Sequence, residues 1–153
     1  MSSPSPSEAQ PERSRHQILV VEDNRADVFL IRESIQAAHI DADLHVVADG
    51  DKAIRFFEQA DLDASAPCPI LVILDINLPK KPGREVLQQM RQSPRCADAA
   101  VLVVTSSDSE KDRDEMGKFV VKGYFRKPSD YDRFMKLGGL VKELLEARTA
   151  PPQ

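Results

Sequence analysis

The sequence predicts an open, doubly wound α/β sheet, and three observations predict it. Short apolar, β-branched runs alternate with stretches whose apolar residues recur at 3- or 4-residue spacing, the signatures of strand and helix. The first, third and fourth runs are apolar at consecutive positions and so on both faces, as suits a parallel sheet covered by helices on each side. Nearly every run stops at an acidic, hydroxylated or basic residue. Five alternations mean five β-α units, and in such sheets the functional crevice lies beyond the carboxyl ends of the strands.

The first strand is the run Ile18 to Val21, which stops at Glu22 and Asp23. Val28, Ile31, Ile35 and Ala38 then keep helical spacing. A shorter strand, Leu44 to Ala48, reaches a turn at Asp49 and Gly50. Ala53, Phe56, Phe57 and Ala60 mark the second helix. Ile70 to Leu74 is the strongest strand and ends at Asp75. Val86, Leu87 and Met90 mark the third helix. Val101 to Val104 is the fourth strand and ends at Thr105 and Ser106. The charge run from Asp108 to Glu115 reads as an exposed helix start, acidic where the helix dipole favours it, and Met116 and Phe119 belong to that fourth helix. A fifth strand lies near Val120 to Phe125, before Lys127 and Pro128. One last helix is predicted from about Ser129 to Arg148, with Tyr131, Phe134, Leu137, Val141, Leu144 and Leu145 as its stripe. Ser129 and Asp130 supply its N-terminal cap signal. Gly138 and Gly139 inside it cost ~1 kcal/mol each relative to Ala, so a close contact or a kink is expected there.

Composition narrows the function. The 153 residues are 41% hydrophobic and 30% charged, enough for one core, with a formal net charge of -4. No Lys/Arg cluster provides the footprint of a nucleic-acid binder. No apolar run approaches the ~20 residues of a membrane-spanning helix. Residues 1–15, rich in Ser and Pro, read as a flexible tail without the apolar stretch of a signal peptide. Residues 16–148 read as the domain and 149–153 as a second tail. Cys68 and Cys96 are too few for a disulfide framework or a zinc site, and free thiols in a reducing compartment are expected. His16, His39 and His45 are scattered and read as surface residues.

Glu22, Asp23, Asp75, Thr105 and Lys127 therefore meet at one edge. Three carboxylates together repel unless something cationic sits among them. Lys127 offsets one charge, and a hard divalent ion suits the rest; Mg²⁺ prefers oxygen ligands, usually one or two carboxylates plus waters. A purely structural Asp75 is hard to sustain, because a carboxylate closing an apolar strand is costly unless paired.

With these residues in place, the chain resembles the receiver domain of two-component response regulators over roughly residues 17–147. The resemblance rests on Val21-Glu22-Asp23-Asn24, on Asp75 to Pro79 with Gly83, on Thr105-Ser106, and on Lys127-Pro128. It implies the flavodoxin-like fold and a role for each residue. Asp75 would be the phosphoacceptor. Asp23, Asp75 and the main-chain carbonyl of Asn77 would bind Mg²⁺, with Glu22 acting through water. Lys127 would pair with Asp75 and then with a phosphoryl oxygen, and the Thr105 hydroxyl with another. Tyr124 would be the aromatic switch that remodels the surface of the fourth helix, fifth strand and fifth helix. The Lys127-Pro128 bond would be cis.

A narrower resemblance links Leu74 to Leu87, and the long stretch Gln59 to Pro69, to the single-domain regulators of phytochrome histidine kinases. Pro82 departs from it, standing where that group usually has Asp. The resemblance implies a cytoplasmic, non-enzymatic phosphoprotein whose partner is a sensor histidine kinase of the bacteriophytochrome type. It also implies a homodimer through the helix-four, strand-five, helix-five face, for which the Tyr131 to Leu145 stripe is a candidate. No nucleic acid, membrane or output domain is expected. A phosphohydrolase of the haloacid-dehalogenase type needs a second acid two residues after the nucleophile, where Asn77 stands. A flavin binder would need a Gly-rich cradle that Glu22 to Arg25 lack. A scaffold that merely borrows the fold is disfavoured by intact Asp23, Asp75, Thr105 and Lys127.

Overall fold

Strands that are apolar on both faces need a helical layer on each side, and the chain supplies one. The computed structural model describes residues 15–107 and 109–149. The expectations for residues 1–14, Asp108 and residues 150–153 lie outside them. The elements run β1 (His16–Val21), α1 (Arg25–Ala37), β2 (Ala42–Val47), α2 (Gly50–Leu62), β3 (Leu71–Leu74), α3 (Gly83–Arg91), β4 (Ala100–Thr105), α4 (Glu110–Gly117), β5 (Gly123–Arg126), α5 (Tyr131–Phe134) and α6 (Leu137–Thr149). All strands pair in parallel, in the order β2-β1-β3-β4-β5.

Alternate strand residues feed two cores, as a period of two requires. Leu19, Val21, Val72, Leu74, Val101 and Val103 pack with Phe57 of α2, Leu87 and Met90 of α3, and Met116 of α4. Ile18, Val20, Leu71, Ile73, Leu102 and Val104 pack with Ile31 and Ile35 of α1, Phe134 of α5, and Leu137 and Val141 of α6. Side-chain caps begin most of the helices. Asn24, Asp49, Ser109 and Asp130 each accept the backbone N–H three residues on, satisfying donors that the first turn leaves free. Pro82 caps α3 without a side-chain bond; instead the Gly83 N–H donates to the Ile76 carbonyl at 3.1 Å.

Three expectations are corrected. The last helix is two: between α5 and α6 the bonds tighten to Lys136 N–H on Arg133 O and Gly138 N–H on Met135 O, a three-residue register. Phe134 and Leu137 both reach the core, as the apolar stripe predicted; only the break between them was not expected. Gly138 is where the second helix crosses α1: a Cβ there would lie 2.1 Å from the Ser34 carbonyl oxygen, whereas one on Gly139 would meet nothing. The cysteines are not free. Cys68 and Cys96 form a disulfide with Cα atoms 5.8 Å apart, joining the loops that enter β3 and β4. Spacing along the chain could not show that these two loops lie side by side. Finally, there is no cis peptide bond among the described residues, so Lys127-Pro128 is trans.

Candidate functional site

Sheet register brings the polar strand ends together. Val21 pairs with Leu74, so Glu22 and Asp75 leave adjacent strands side by side, and the Asp75 N–H donates to Val21 O at 3.1 Å. Val103 pairs with Leu74, which puts Thr105 just past Asp75 on the neighbouring strand. Thr105 pairs with Arg126, and the Lys127 N–H donates to Thr105 O at 2.8 Å. From this backbone anchor the Lys127 side chain reaches Asp75 at the end of β3.

Lys127 Nζ sits among three carboxylates: 2.6 Å from Glu22 Oε1, 2.8 Å from Asp27 Oδ2 and 3.0 Å from Asp75 Oδ2. The contacts to Asp27 and Asp75 are hydrogen bonds. The contact to Glu22 is an ion pair that misses hydrogen-bond geometry, which leaves Glu22 Oε1 buried without a hydrogen-bond partner. The other Glu22 oxygen accepts the Asn24 N–H, and Asp75 Oδ1 accepts the Asn77 N–H at 3.1 Å. Burial would lower the Lys127 pKa, but the close contacts with the carboxylates of Asp27, Glu22 and Asp75 outweigh it and hold the ammonium above its ordinary value. Burial dominates at Glu22, whose pKa rises to about 7 despite Lys127.

One oxygen from each of Glu22, Asp23 and Asp75 lies within 4.8 Å of the others. Glu22 and Asp75 are buried while Asp23 is exposed. This donor set fits a hard divalent cation: all ligands are oxygens, one face is open to keep waters, and a buried oxygen lacks its hydrogen bond. An open groove of about 280 Å³, lined by Glu22, Asp23, Arg25, Val28, Val46 and Lys52 among others, adjoins it.

Thr105 is fully buried, and its Oγ1 accepts the Ser107 N–H. Tyr124 is half-buried against the α2–α3–α4 core. Its hydroxyl donates to the Ser107 carbonyl at 3.3 Å, and the Arg113 guanidinium covers its ring at 4.5 Å. Desolvation raises its pKa, with Arg113 acting in the opposite sense. Ser107 Oγ donates to Asp112 Oδ2 at 2.6 Å, tying this loop to α4. Gly50 and Gly83 let the loop after β3 close down, since a Cβ on either would meet Lys81 or Ile76 backbone within 3.0 Å. Lys80, at φ 71°, takes the left-handed conformation at that bend.

Glu22, Asp23, Asp75, Asn77, Thr105 and Lys127 therefore gather at this edge, while Tyr124 stands inside β5 opposite Val103 and reaches the edge through its hydroxyl on Ser107. The sequence reading missed Asp27. It stands four residues beyond Asp23, on the helix face turned back toward the strand ends, and that spacing was the available signal. His45 is half-buried rather than on the surface, its Nε2 bonded to Gln17 Oε1. The Tyr131 to Leu145 stripe is mostly spent on the core, with Phe134, Leu137, Val141 and Leu145 buried and Tyr131 exposed.

A parallel β2-β1-β3-β4-β5 sheet with acids, a hydroxyl and a lysine at its carboxyl edge is the arrangement of a receiver-type signalling domain. Comparison agrees: residues 18–137 match the response regulator receiver domain, and the chain belongs to that family. It is 37% identical over 135 residues to the response regulator Rcp1 of Synechocystis sp., spanning 88% of this chain and 92% of Rcp1. The phosphorylated cyanobacterial phytochrome response regulator RcpA superposes with a TM-score of 0.80 at 31% identity, covering 91% of this chain and 100% of RcpA. The Mn²⁺-bound form of Rcp1 superposes at 0.77 with 36% identity, covering 90% and 99%. This protein is a receiver-domain protein similar to phytochrome response regulators, with an acidic cluster suited to a metal ion. Among the described residues no helix is long and apolar enough to cross a membrane.

Proposed function

We propose that this protein accepts a phosphoryl group on Asp75 from the phosphohistidine of a sensor kinase of the phytochrome type. The observation that carries the reading is the Lys127 ammonium held by Asp75 and Glu22 beside a three-carboxylate cluster. An Asp75 oxygen attacks phosphorus, an O–P bond forms and the N–P bond breaks. Its electron pair returns to the imidazole, which leaves neutral when its other nitrogen carries the proton. Glu22, Asp23 and Asp75 would hold Mg²⁺, with the Asn77 carbonyl as a further ligand. When bound, the ion neutralises charge on the phosphoryl oxygens. Lys127, already in position beside Asp75, and the Thr105 hydroxyl, which moves in, take phosphoryl oxygens and stabilise their charge.

The protein acts as a phosphoacceptor and not as an enzyme, beyond assisting its own phosphorylation and dephosphorylation. Thr105 moving toward the phosphoryl group shifts the Ser107 carbonyl on which the Tyr124 hydroxyl rests, so charge at Asp75 reaches the α4–β5–α5 surface. Two exposed apolar residues flank β5 there, Val120 and Tyr131, and they support a homodimer through that face. The setting is cytoplasmic, and Cys68 and Cys96 form a disulfide-bonded pair. That pair lies at the ends of β3 and β4 opposite the site. Nucleic acid and membrane have no part in this reading.

Intact-mass spectrometry after incubation with Mg²⁺ and acetyl phosphate tests it. One phosphoryl adduct is expected on wild type and none on Asp75→Asn. If neither acetyl phosphate nor a phytochrome-type kinase labels the wild type, the proposal fails and the scaffold reading takes its place.

A further inference from the structure

Lys127 has three N–H bonds and three carboxylate neighbours, and two of those neighbours also belong to the metal cluster. Glu22 and Asp75 each present an oxygen within 4.8 Å of the others and of Asp23; Asp27 is outside this group. A divalent ion drawn to the cluster therefore competes with Lys127 for Glu22 and Asp75, but not for Asp27. Asp27 Oδ2 holds Nζ at 2.8 Å in a hydrogen bond, and its side chain is itself largely shielded. Its place is set by the backbone: Asp27 lies in the first turn of α1, where its N–H donates to the Asn24 side chain at 3.0 Å. A carboxylate there is further stabilised by the helix N-terminus.

We propose that Asp27 is the positioning residue for Lys127. It keeps Nζ on the α1 side of Asp75 while Glu22 and Asp75 turn to the metal, so that the ammonium meets the incoming phosphoryl oxygen without a search. Without Asp27, the ammonium falls back on Glu22 and Asp75, opposing the metal, and its position at Asp75 is no longer held. Asp27 touches neither the metal cluster nor the phosphoryl group and acts through Lys127 alone. This inference rests on Asp75 being the phosphoacceptor.

The test compares the full chain with Asp27→Asn, which keeps shape and removes charge, and with Glu33→Gln, which removes the same charge from the same helix farther along. Phosphorylation by acetyl phosphate is followed at saturating Mg²⁺, and Mg²⁺ affinity is measured by calorimetry. The Lys127 Nζ resonance, assigned through Lys127→Arg, is recorded with and without Mg²⁺. Losing one charge-assisted hydrogen bond predicts a rate about 3–10-fold lower in Asp27→Asn, weaker Mg²⁺ binding, and an Nζ signal lost to solvent exchange when Mg²⁺ is added. Glu33→Gln and wild type are expected to keep both rate and signal. Wild-type rate and Nζ signal in Asp27→Asn would overturn the proposal, as would an equal loss in Glu33→Gln, which would reduce the effect to net charge. A wild type that takes no phosphate on Asp75 fails the parent reading instead, and the two failures are thereby told apart.

Discussion

Glu22 shows how one residue carries the tension of the site. Its carboxyl is buried, one oxygen faces Lys127 outside hydrogen-bond geometry, and desolvation raises its pKa from 4.5 to about 7. In the metal-free protein the native state thus keeps a proton that the unfolded chain has released. The resulting stabilisation is complete below pH 4.5 and is lost as pH rises through about 7. Glu22→Gln imitates the protonated form at every pH. Urea unfolding in the presence of a chelator should therefore show the variant gaining on wild type between pH 4.5 and 7 and running parallel above. Saturating Mg²⁺, which favours the ionised carboxylate, should shrink that difference. A difference constant with pH would remove Glu22 as the titrating group. Lys127, held above its ordinary pKa by its three carboxylates, stays charged through this range.

At the scale of elements, the crossing of α1 and α6 decides how the last helix lies on the sheet. Ser34 is fully buried and its carbonyl oxygen comes so near Gly138 that a methyl group would sit 2.1 Å away. Backbone of a helix cannot yield cheaply, so overpacking outweighs the better helix propensity of Ala. Gly138→Ala should cost about 1–3 kcal/mol, whereas Gly139→Ala, facing open space, should gain up to ~1 kcal/mol. Urea midpoints of the two variants check the pair, and equal effects would place the contact elsewhere. The two glycines were visible in the sequence as an anomaly inside an apolar stripe. Which one bears the contact was not, because the partner backbone lies on α1, a hundred residues or so away along the chain. The helix boundaries tell the same story: α1 and α2 follow their periodicity and caps, whereas the three-residue hydrogen bonds between α5 and α6 leave the apolar spacing unaltered and so carry no mark in the sequence.

For the whole molecule, what matters is which surface remains once the cores are filled. Burial of Phe134, Leu137, Val141 and Leu145 removes most of the stripe that suggested an interface, leaving Val120 and Tyr131 at the β5 edge. Sedimentation should show a mass that rises from one to two chains with concentration, and Tyr131→Asp should hold it at one. A wild-type mass that stays at one chain at high concentration would end the dimer proposal. The same assembly of loops joins Cys68 to Cys96, and Arg95 adds hydrogen bonds to the Asp63 and Ala66 carbonyls nearby.

The sequence by itself determined the sheet and the chemistry at its edge. Apolar runs that end in Glu22, Asp75 and Thr105 form buried strands, a weaker one precedes Lys127, and parallel strands deliver their last residues to a common edge. Strand and helix periodicity are local properties, readable from a few neighbours. What only the tertiary structure decided are contacts between segments far apart in the chain: Asp27 on Lys127, Ser34 on Gly138, and Cys68 on Cys96. Each depends on how closely two elements pack, a matter of distances in space that no spacing along the chain encodes.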